Sequence, residues 1–444
     1  MSYNETIEYL FGLQKHGIKF GLANSHALMK LMGNPHRKFP SVHVAGTNGK
    51  GSTCLFLAAM LQDAGHRVGL YTSPHLVSFT ERIRINNVPL SEDRVVGLAE
   101  RVREGSRKAP GEGGGPMSPT FFEVTTAMAF TAFAEEGVDI AVVEAGMGGR
   151  LDSTNVITPL VTVITNIDIE HTEFLGGKIE EIAAEKAGII KPGVPVVTGV
   201  VQPDAFRVIE RRAAEQRAPL YRLTKDFGPE NLARGRDQVF DYRGGGPVLA
   251  GLRITMLGRH QIDNACLAVA AAQCLRNADI AVSERAVRSG LERARWEGRL
   301  ERVAQRPDMY LDGAHNPAAA RTLASALREL RPAYGKLILV IGILADKDFH
   351  GILEELLPLA GHVVVTKPRY SRALDVSQLA ESVRGLHASV SAAESVEQAV
   401  AEARKRASDE DLIVVTGSLY VVGDARAAVL GSGDRPSGLA GLKG

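Results

Sequence analysis

The sequence predicts an α/β protein of two domains: an N-terminal P-loop-type, mostly parallel sheet with helices on both faces, and a C-terminal Rossmann-like α/β domain. Three observations carry that expectation. Short apolar runs alternate with helical patterns from residue 42 to residue 199, as repeated strand–helix units do. The same rhythm restarts after Arg299, with strands at 309–312, 337–341, 362–366 and 412–416 and helices between them. Finally, residues 42–52 read VHVAGTNGKGS, a strand breaking into a glycine-rich turn and then a helix.

That last stretch organises the N-terminal half. A strand, glycine turn and helix in succession aim backbone N–H groups and a helix dipole at a phosphate. Gly46, Thr47, Asn48, Gly49, Lys50, Gly51 and Ser52 form the loop. Lys50 is placed to reach outer phosphates as a point charge, and the Ser52 hydroxyl to hold Mg²⁺. Val44 stands where the usual motif has its first glycine.

The flanking chain follows in order. Two helices fill residues 4–32, and the loop helix runs to about residue 64, with Leu55, Ala58, Ala59 and Leu61 on one side. A strand at 68–71 ends in Thr72-Ser73-Pro74-His75, and residues 79–90 alternate charge and apolarity as an exposed arm would. After a helix at 92–107 comes a stretch dominated by Gly and Pro, read as a flexible loop. A helix at 121–135 and a strand at 139–144 lead to Glu144 and the turn GMGGRLD; a strand at 161–165 delivers Asn166, Asp168 and His171. A helix at 179–190 carries Glu185 and Lys186, and residues 220–257 suit a small antiparallel excursion. The helix at 260–275 holds Asn264, the boundary falls at 291–298, and a flexible tail occupies 431–444. The domains are thus 1–295 and 299–430.

Composition narrows the function. Lys plus Arg (52) nearly balances Asp plus Glu (51), so no global field favours nucleic acid or an anionic membrane. The three cysteines, Cys54, Cys266 and Cys274, sit in apolar helical contexts and read as small core residues in a reducing, cytoplasmic setting. No signal-peptide pattern opens the chain, no run is long enough to span a bilayer, and the balanced charge suits a monomer. Without family knowledge, Ser73, Glu144, Asp168 and His171 share the loop-bearing edge of one sheet, where α/β proteins collect ligands. An imidazole is an unusual partner for a hard ion such as Mg²⁺.

Nine blocks then occur in order: GTNGKGS, YTSPHL, VEAGMGGRLDSTN, DIEHTEFLG, EKAGIIKPG, LGRHQIDNA, RWEGRLE, LDGAHNP and GILADKD. Over residues 4–425 the chain resembles the folylpolyglutamate synthase/dihydrofolate synthase family of Mur-type amide ligases. The resemblance implies an ATP-dependent ligase that adds L-glutamate to dihydropteroate, to reduced folate, or to both through an acyl phosphate, with closure of a two-domain cleft excluding water. It implies ATP as co-substrate and two Mg²⁺ ions, with Ser73, Glu144 and His171 as metal ligands beside Ser52. By the same resemblance Lys186 matches a lysine that the family carboxylates, and Lys50, Lys186 and His315 are catalytic. Asn264, Arg299 and Asp312 match residues that contact ATP. Ile18, Lys19, Phe20, Thr120, Phe121, Phe122, Glu123, Leu151, Asp152 and Ser153 match segments lining the pterin pocket, with Phe121 and Phe122 equally readable as core aromatics. Glu297 replaces a proline common in the family, and the glycine-rich 110–116 loop lengthens a connection beside that pocket. Two other readings compete: a cell-wall ligase with a nucleotide-linked substrate, and a non-catalytic nucleotide switch.

Overall fold

The computed structural model describes residues 1–17, 21–108, 117–234 and 237–431. Ile18, Lys19 and Phe20, the 110–116 loop and the tail from residue 432 therefore lie outside the described residues. The described residues divide into two compact units: those within 1–75, 79–255 and 261–294 form the first, and those within 76–78, 256–260 and 295–431 the second.

The first unit is built on eight strands: β1 (Ser41–Ala45), β2 (Val68–Tyr71), β3 (Ile83–Ile85), β4 (Val88–Pro89), β5 (Ile140–Glu144), β6 (Val161–Ile164), β7 (Val196–Thr198) and β8 (Leu220–Arg222). Their order is β4-β3-β2-β5-β1-β6-β7-β8, parallel from β2 to β8 and antiparallel at the β3 and β4 edge. β1 is central, so every side chain on it is buried, including Ser41 and His43. Register brings Glu144 opposite Val44 and Ile164 opposite Ala45. The ends of β5 and β6 thus flank the exit of β1.

The helix Lys50–Asp63 is apolar nearly all round, with Ser52 to Ala58, Met60 and Leu61 buried. The single apolar side expected for it is corrected: the helix packs on β1, β2 and β5 and also against Glu284–Arg293, which closes its outer face. The helix Phe121–Glu135 is likewise buried from Glu123 to Phe133.

Two expectations need correction. Residues 79–90 are not an exposed arm: Phe79, Ile83 and Arg84 are buried, because this segment supplies the antiparallel edge partner that β2 requires. Of residues 220–257, β8 extends the main parallel sheet, and only β9 (Gly228–Arg234), β10 (Gln238–Arg243) and β11 (Leu249–Ile254) form a separate antiparallel sheet.

The second unit contains β12 (Glu301–Ala304), β13 (Asp308–Leu311), β14 (Leu337–Ile341), β15 (His362–Val365), β16 (Val390–Ala392) and β17 (Leu412–Thr416), in the order β12-β13-β17-β14-β15-β16. Only β12 is antiparallel. Cores fill both faces, one built on Leu339, Ile341 and Leu353 and the other on Ile338, Val340 and Val400. No helix among the described residues is long and apolar enough to cross a membrane.

Close helix packing at Gly290 gives a direct check. A Cβ there would lie 2.6 Å from the Met60 backbone, which cannot swing aside as a side chain can. Gly290→Ala should lower stability by about 1–3 kcal/mol, seen as a lower urea midpoint; an unchanged midpoint would refute that packing.

Candidate functional site

The loop after β1 is shaped by two glycines. Gly46 has φ +150°, and a Cβ on it would collide with the Thr165 hydroxyl; Gly49, at φ +81°, would drive one into the Asn264 amide oxygen. The segment leaving β6 holds the back of the loop. Thr47 N–H donates to the Asn166 carbonyl (2.9 Å) and Asn48 N–H to Asn166 Oδ1 (2.8 Å). Thr165 Oγ1 donates to the Asn48 carbonyl (2.7 Å), and Asp168 N–H to Thr47 Oγ1 (3.0 Å). The first helical bond is Thr53 N–H to Gly49 O, so the N–H groups of residues 50–52 open the helix without a partner four residues back. Lys50 Nζ lies over this turn, donating to the Gly46 and Thr47 carbonyls at 2.9 Å each. Asn264, from the helix Arg259–Cys274, is steadied by Nδ2–H donation to Gln261 (3.1 Å).

Lys186 comes to the same turn from the helix Ile179–Ala187 and is 1% exposed. Its ammonium donates to the Gly46 carbonyl (3.0 Å) and to Glu170 Oε1 (2.8 Å). Burial lowers its pKa to about 8, against the upward pull of Glu170 and with a further push from Lys50. For Glu170 burial works upward, but the charges of Lys186 and Lys50 prevail and hold it at about 2.

Glu144 ends β5, is buried, and accepts from Ser73 N–H (3.0 Å). Ser73 follows the end of β2, whose Tyr71 pairs in register with Val143. His171 lies beyond β6 in a left-handed turn (φ +48°) with its side chain exposed. No three His, Cys, Asp or Glu side chains among the described residues converge as a metal cluster. The buried Ser52 and Glu144, with the half-buried Ser73, instead offer hydroxyl and carboxylate oxygens, the donor chemistry that suits Mg²⁺ completed by phosphate oxygens.

The segments matched to the pterin pocket divide by role. Thr120 and Glu123 cap the helix that follows: Thr120 N–H donates to Glu123 Oε2 (2.6 Å) and Glu123 N–H to Thr120 Oγ1 (3.3 Å). Phe121 and Phe122 are half-buried. Phe121 stacks on Phe11 (5.6 Å, 6°) beneath the Arg82 guanidinium (5.1 Å), while Phe122 lies beside Tyr71 (6.0 Å) and against Gly146. Asp152 is buried and caps Ser153–Val156, accepting from Met147 N–H (2.9 Å) and Thr154 N–H (3.0 Å) and from the Thr154 hydroxyl. Ser153 is buried and Leu151 half-buried.

In the second unit Asp312 leaves β13 and accepts from Leu300 N–H (2.9 Å) and Ala314 N–H (3.0 Å). Burial raises its pKa while Arg299 and these bonds pull it down. Arg299 also lowers His260, which burial takes to about 4. His315 Nδ1 is 2.8 Å from the Gly313 carbonyl; since the carbonyl only accepts, Nδ1 carries the proton. Asn316 then caps the helix Pro317–Leu330.

Three residues given no place in the sequence analysis belong to these arrangements: Thr165 behind the loop, Glu170 beside Lys186, and Arg82 over Phe121; Asn166, expected at the strand end, proves to hold the back of the loop. Glu170 adjoins His171, so its place was readable; Arg82 was hidden in a segment taken as exposed.

Comparison with known proteins gives the family. A model described as the Mur ligase middle domain matches residues 44–272, and one described as the Mur ligase, glutamate ligase domain, matches residues 298–419. A Bacillus subtilis dihydrofolate synthase/folylpolyglutamate synthase is 38% identical over 433 residues, covering 96% of this chain and 98% of its own. Folylpolyglutamate synthase from Thermotoga maritima superposes with a TM-score of 0.85 at 37% identity over 98% of each chain. The Mycobacterium tuberculosis folylpolyglutamate synthase complexed with ADP does so at 0.88 and 35% identity, covering 96% of this chain and 98% of that one. Full-length agreement of this kind leaves one conclusion: the chain belongs to the folylpolyglutamate synthase/dihydrofolate synthase branch of the Mur ligase family.

Proposed function

We infer that the protein is an ATP-dependent amide ligase of folate metabolism that joins L-glutamate to a pterin-bearing acid. The observation carrying this furthest is the buried Lys186–Glu170 pair against the Gly46 carbonyl. A loop that only held a nucleotide would have no need of an ion pair taken out of water behind it.

The reaction requires a carboxylate oxygen of the pterin substrate to bond to the γ-phosphorus of ATP while the bond to ADP breaks. The glutamate nitrogen then bonds to the acyl carbon, phosphate leaves, and the nitrogen loses a proton. Two anions must approach each other first, so fixed positive charge at the phosphates is the main demand. The N–H groups opening the helix at Lys50, together with the Lys50 ammonium, supply it. Lys50 releases the loop carbonyls it now holds and turns to the phosphate oxygens. Asn264, Arg299 and Asp312 serve ATP, and His315 serves the glutamate and phosphate end.

Ser52, Ser73, Glu144 and His171 would hold Mg²⁺, which when bound neutralises phosphate charge. Lys186 fits the lysine carboxylated in the family: its pKa of about 8 leaves a share of free amine able to take up CO₂. As a carbamate it would stand beside Glu170, and two anions there suit a cation between them. Thr120 and Glu123 hold the helix that presents Phe121 and Phe122, and Leu151, Asp152 and Ser153 face the pterin with them; Ile18, Lys19 and Phe20 complete the assignment. On this reading residues 1–295 are the ATP- and pterin-binding domain and 299–430 the glutamate-ligase domain, which also supplies Arg299 and Asp312, in a monomer acting in the cytoplasm.

Three outcomes are expected. Purified protein with ATP and Mg²⁺ should release ADP only when both glutamate and either dihydropteroate or a reduced folate are present; silence with every pterin acid would end the proposal. Lys50→Ala should reduce turnover at least about 10³-fold with an unchanged thermal transition, and unfolding instead would make Lys50 structural. The free-amine share of Lys186 grows as pH rises through about 8, so carbamate formation should grow with it. With ¹³C-bicarbonate added, a ¹³C-carbamate resonance should appear in wild type and strengthen over that range, and be missing in Lys186→Ala; equal carbamate signals in both would remove the carbamate proposal.

A further inference from the structure

His43 sits in the middle of the central strand, fully buried, where an apolar residue would pack without penalty. Its Nε2 is 2.8 Å from Thr154 Oγ1, and its Nδ1 has no hydrogen-bond partner. The protons can be assigned from the partners. Thr154 Oγ1 also contacts Asp152 Oδ1, a carboxylate already accepting from Met147 and Thr154 N–H groups. Burial raises the Asp152 pKa while those donors pull it back down, and as an acceptor of both N–H groups the carboxylate takes the one hydroxyl proton as well. The Thr154 oxygen must then accept, and His43 must donate from Nε2. The unpartnered Nδ1 is an acceptor, the cheaper of the two groups to bury alone.

A chain of donation therefore runs from His43 through Thr154 to Asp152, whose other oxygen accepts from the Met147 N–H. Its far end is the turn after Glu144. There Gly146 lies against the Phe122 ring so closely that a Cβ would strike it. We propose that His43 and Thr154 are positioning residues for the pterin-bearing substrate. Acting through Asp152, they lock the Gly146–Met147 turn that sets the Phe122 ring. Neither side chain need touch the substrate. The inference rests on the ligase reading above and on Phe122 as a wall of the pterin pocket.

The test compares the full-length enzyme with Thr154→Val, Thr154→Ser, His43→Leu, His43→Gln and the His43→Leu/Thr154→Val double variant. Each is assayed for dihydropteroate, ATP and glutamate KM, and for ADP affinity by calorimetry. Thr154→Val and His43→Leu should each raise the dihydropteroate KM about tenfold. The ATP KM and ADP affinity should stay at the wild-type value. Thr154→Ser and His43→Gln, which keep a hydroxyl and an amide N–H in place, should recover most of the loss. The double variant should be no worse than the poorer single one, because both break the same chain. Wild-type dihydropteroate KM in both apolar variants would overturn the proposal, as would an equal rise for ATP or effects that multiply. If Thr154→Val fails to fold, His43→Leu decides alone, since it removes a nitrogen that had no partner. A wild-type enzyme active with dihydropteroate but indifferent to these changes defeats the relay only; one inactive with every pterin acid defeats the ligase reading, and the relay with it.

Discussion

The hold of the β6 exit on the phosphate loop is the constraint from which the first unit's geometry follows. Backbone N–H groups bind an anion well only if they already point together, because ordering each residue at binding costs roughly 1–2 kcal/mol. Here Asn166 takes both the Thr47 and Asn48 N–H groups, and Thr165 and Asp168 take the oxygens of the same residues. Those contacts consume the rear of the loop and leave the N–H groups that open the helix at residues 50–52 without a partner four residues back. They also require β6 beside β1, which is how the sheet is ordered. With β5 on the other side, Glu144 arrives at the same edge without any loop having to reach for it.

Against that rigid turn the chain places a costly feature. Removing an ammonium and a carboxylate from water costs several kcal/mol per ion, and their attraction recovers this only with good geometry and further hydrogen bonds. The Lys186–Glu170 pair has both, through its 2.8 Å contact and the Gly46 carbonyl. Even so, an apolar pair of similar volume would stabilise the fold at least as well. Stability alone therefore does not account for the arrangement, and the proposed function gives it a purpose.

Legibility in the sequence followed periodicity. Strands such as Leu337–Ile341 and Leu412–Thr416 are uninterrupted apolar runs, and the helix Pro317–Leu330 begins with Asn-Pro, so all three matched expectation to the residue. The edge strands did not announce themselves. β3 carries Arg84 and β12 carries Glu301 and Arg302, because strands at or near an edge admit charged side chains whose heads reach water or a local partner. The helix Lys50–Asp63 was found, but its one-sided apolar pattern was not, since burial on every side removes the periodic signal. For the site, the glycine loop, Glu144 and Lys186 could be read from local chemistry and ordered blocks. Thr165 and Asn166 acquire their roles only by standing next to the loop in three dimensions, and His43 could be seen as odd in VHVA without its partner being visible.

On the proposed reading of the pterin pocket, the aromatic shelf bears on substrate choice. Phe121 and Phe122 lie on adjacent positions of one helix start, yet Phe121 joins Phe11 and Arg82 while Phe122 joins Tyr71 and Gly146. A flat heteroaromatic ring gains from such faces through apolar burial and stacking, with little dependence on what is attached far from the ring. Dihydropteroate and the folates share the pyrimidine half of that bicycle, differ in the reduction state of the other half, and differ again at the far end. Contacts to the shared half lower the free energy of both complexes alike, and equal contributions cancel in a ratio of specificities. On the proposed reading, discrimination between the two acids therefore resides with groups that meet the parts that differ.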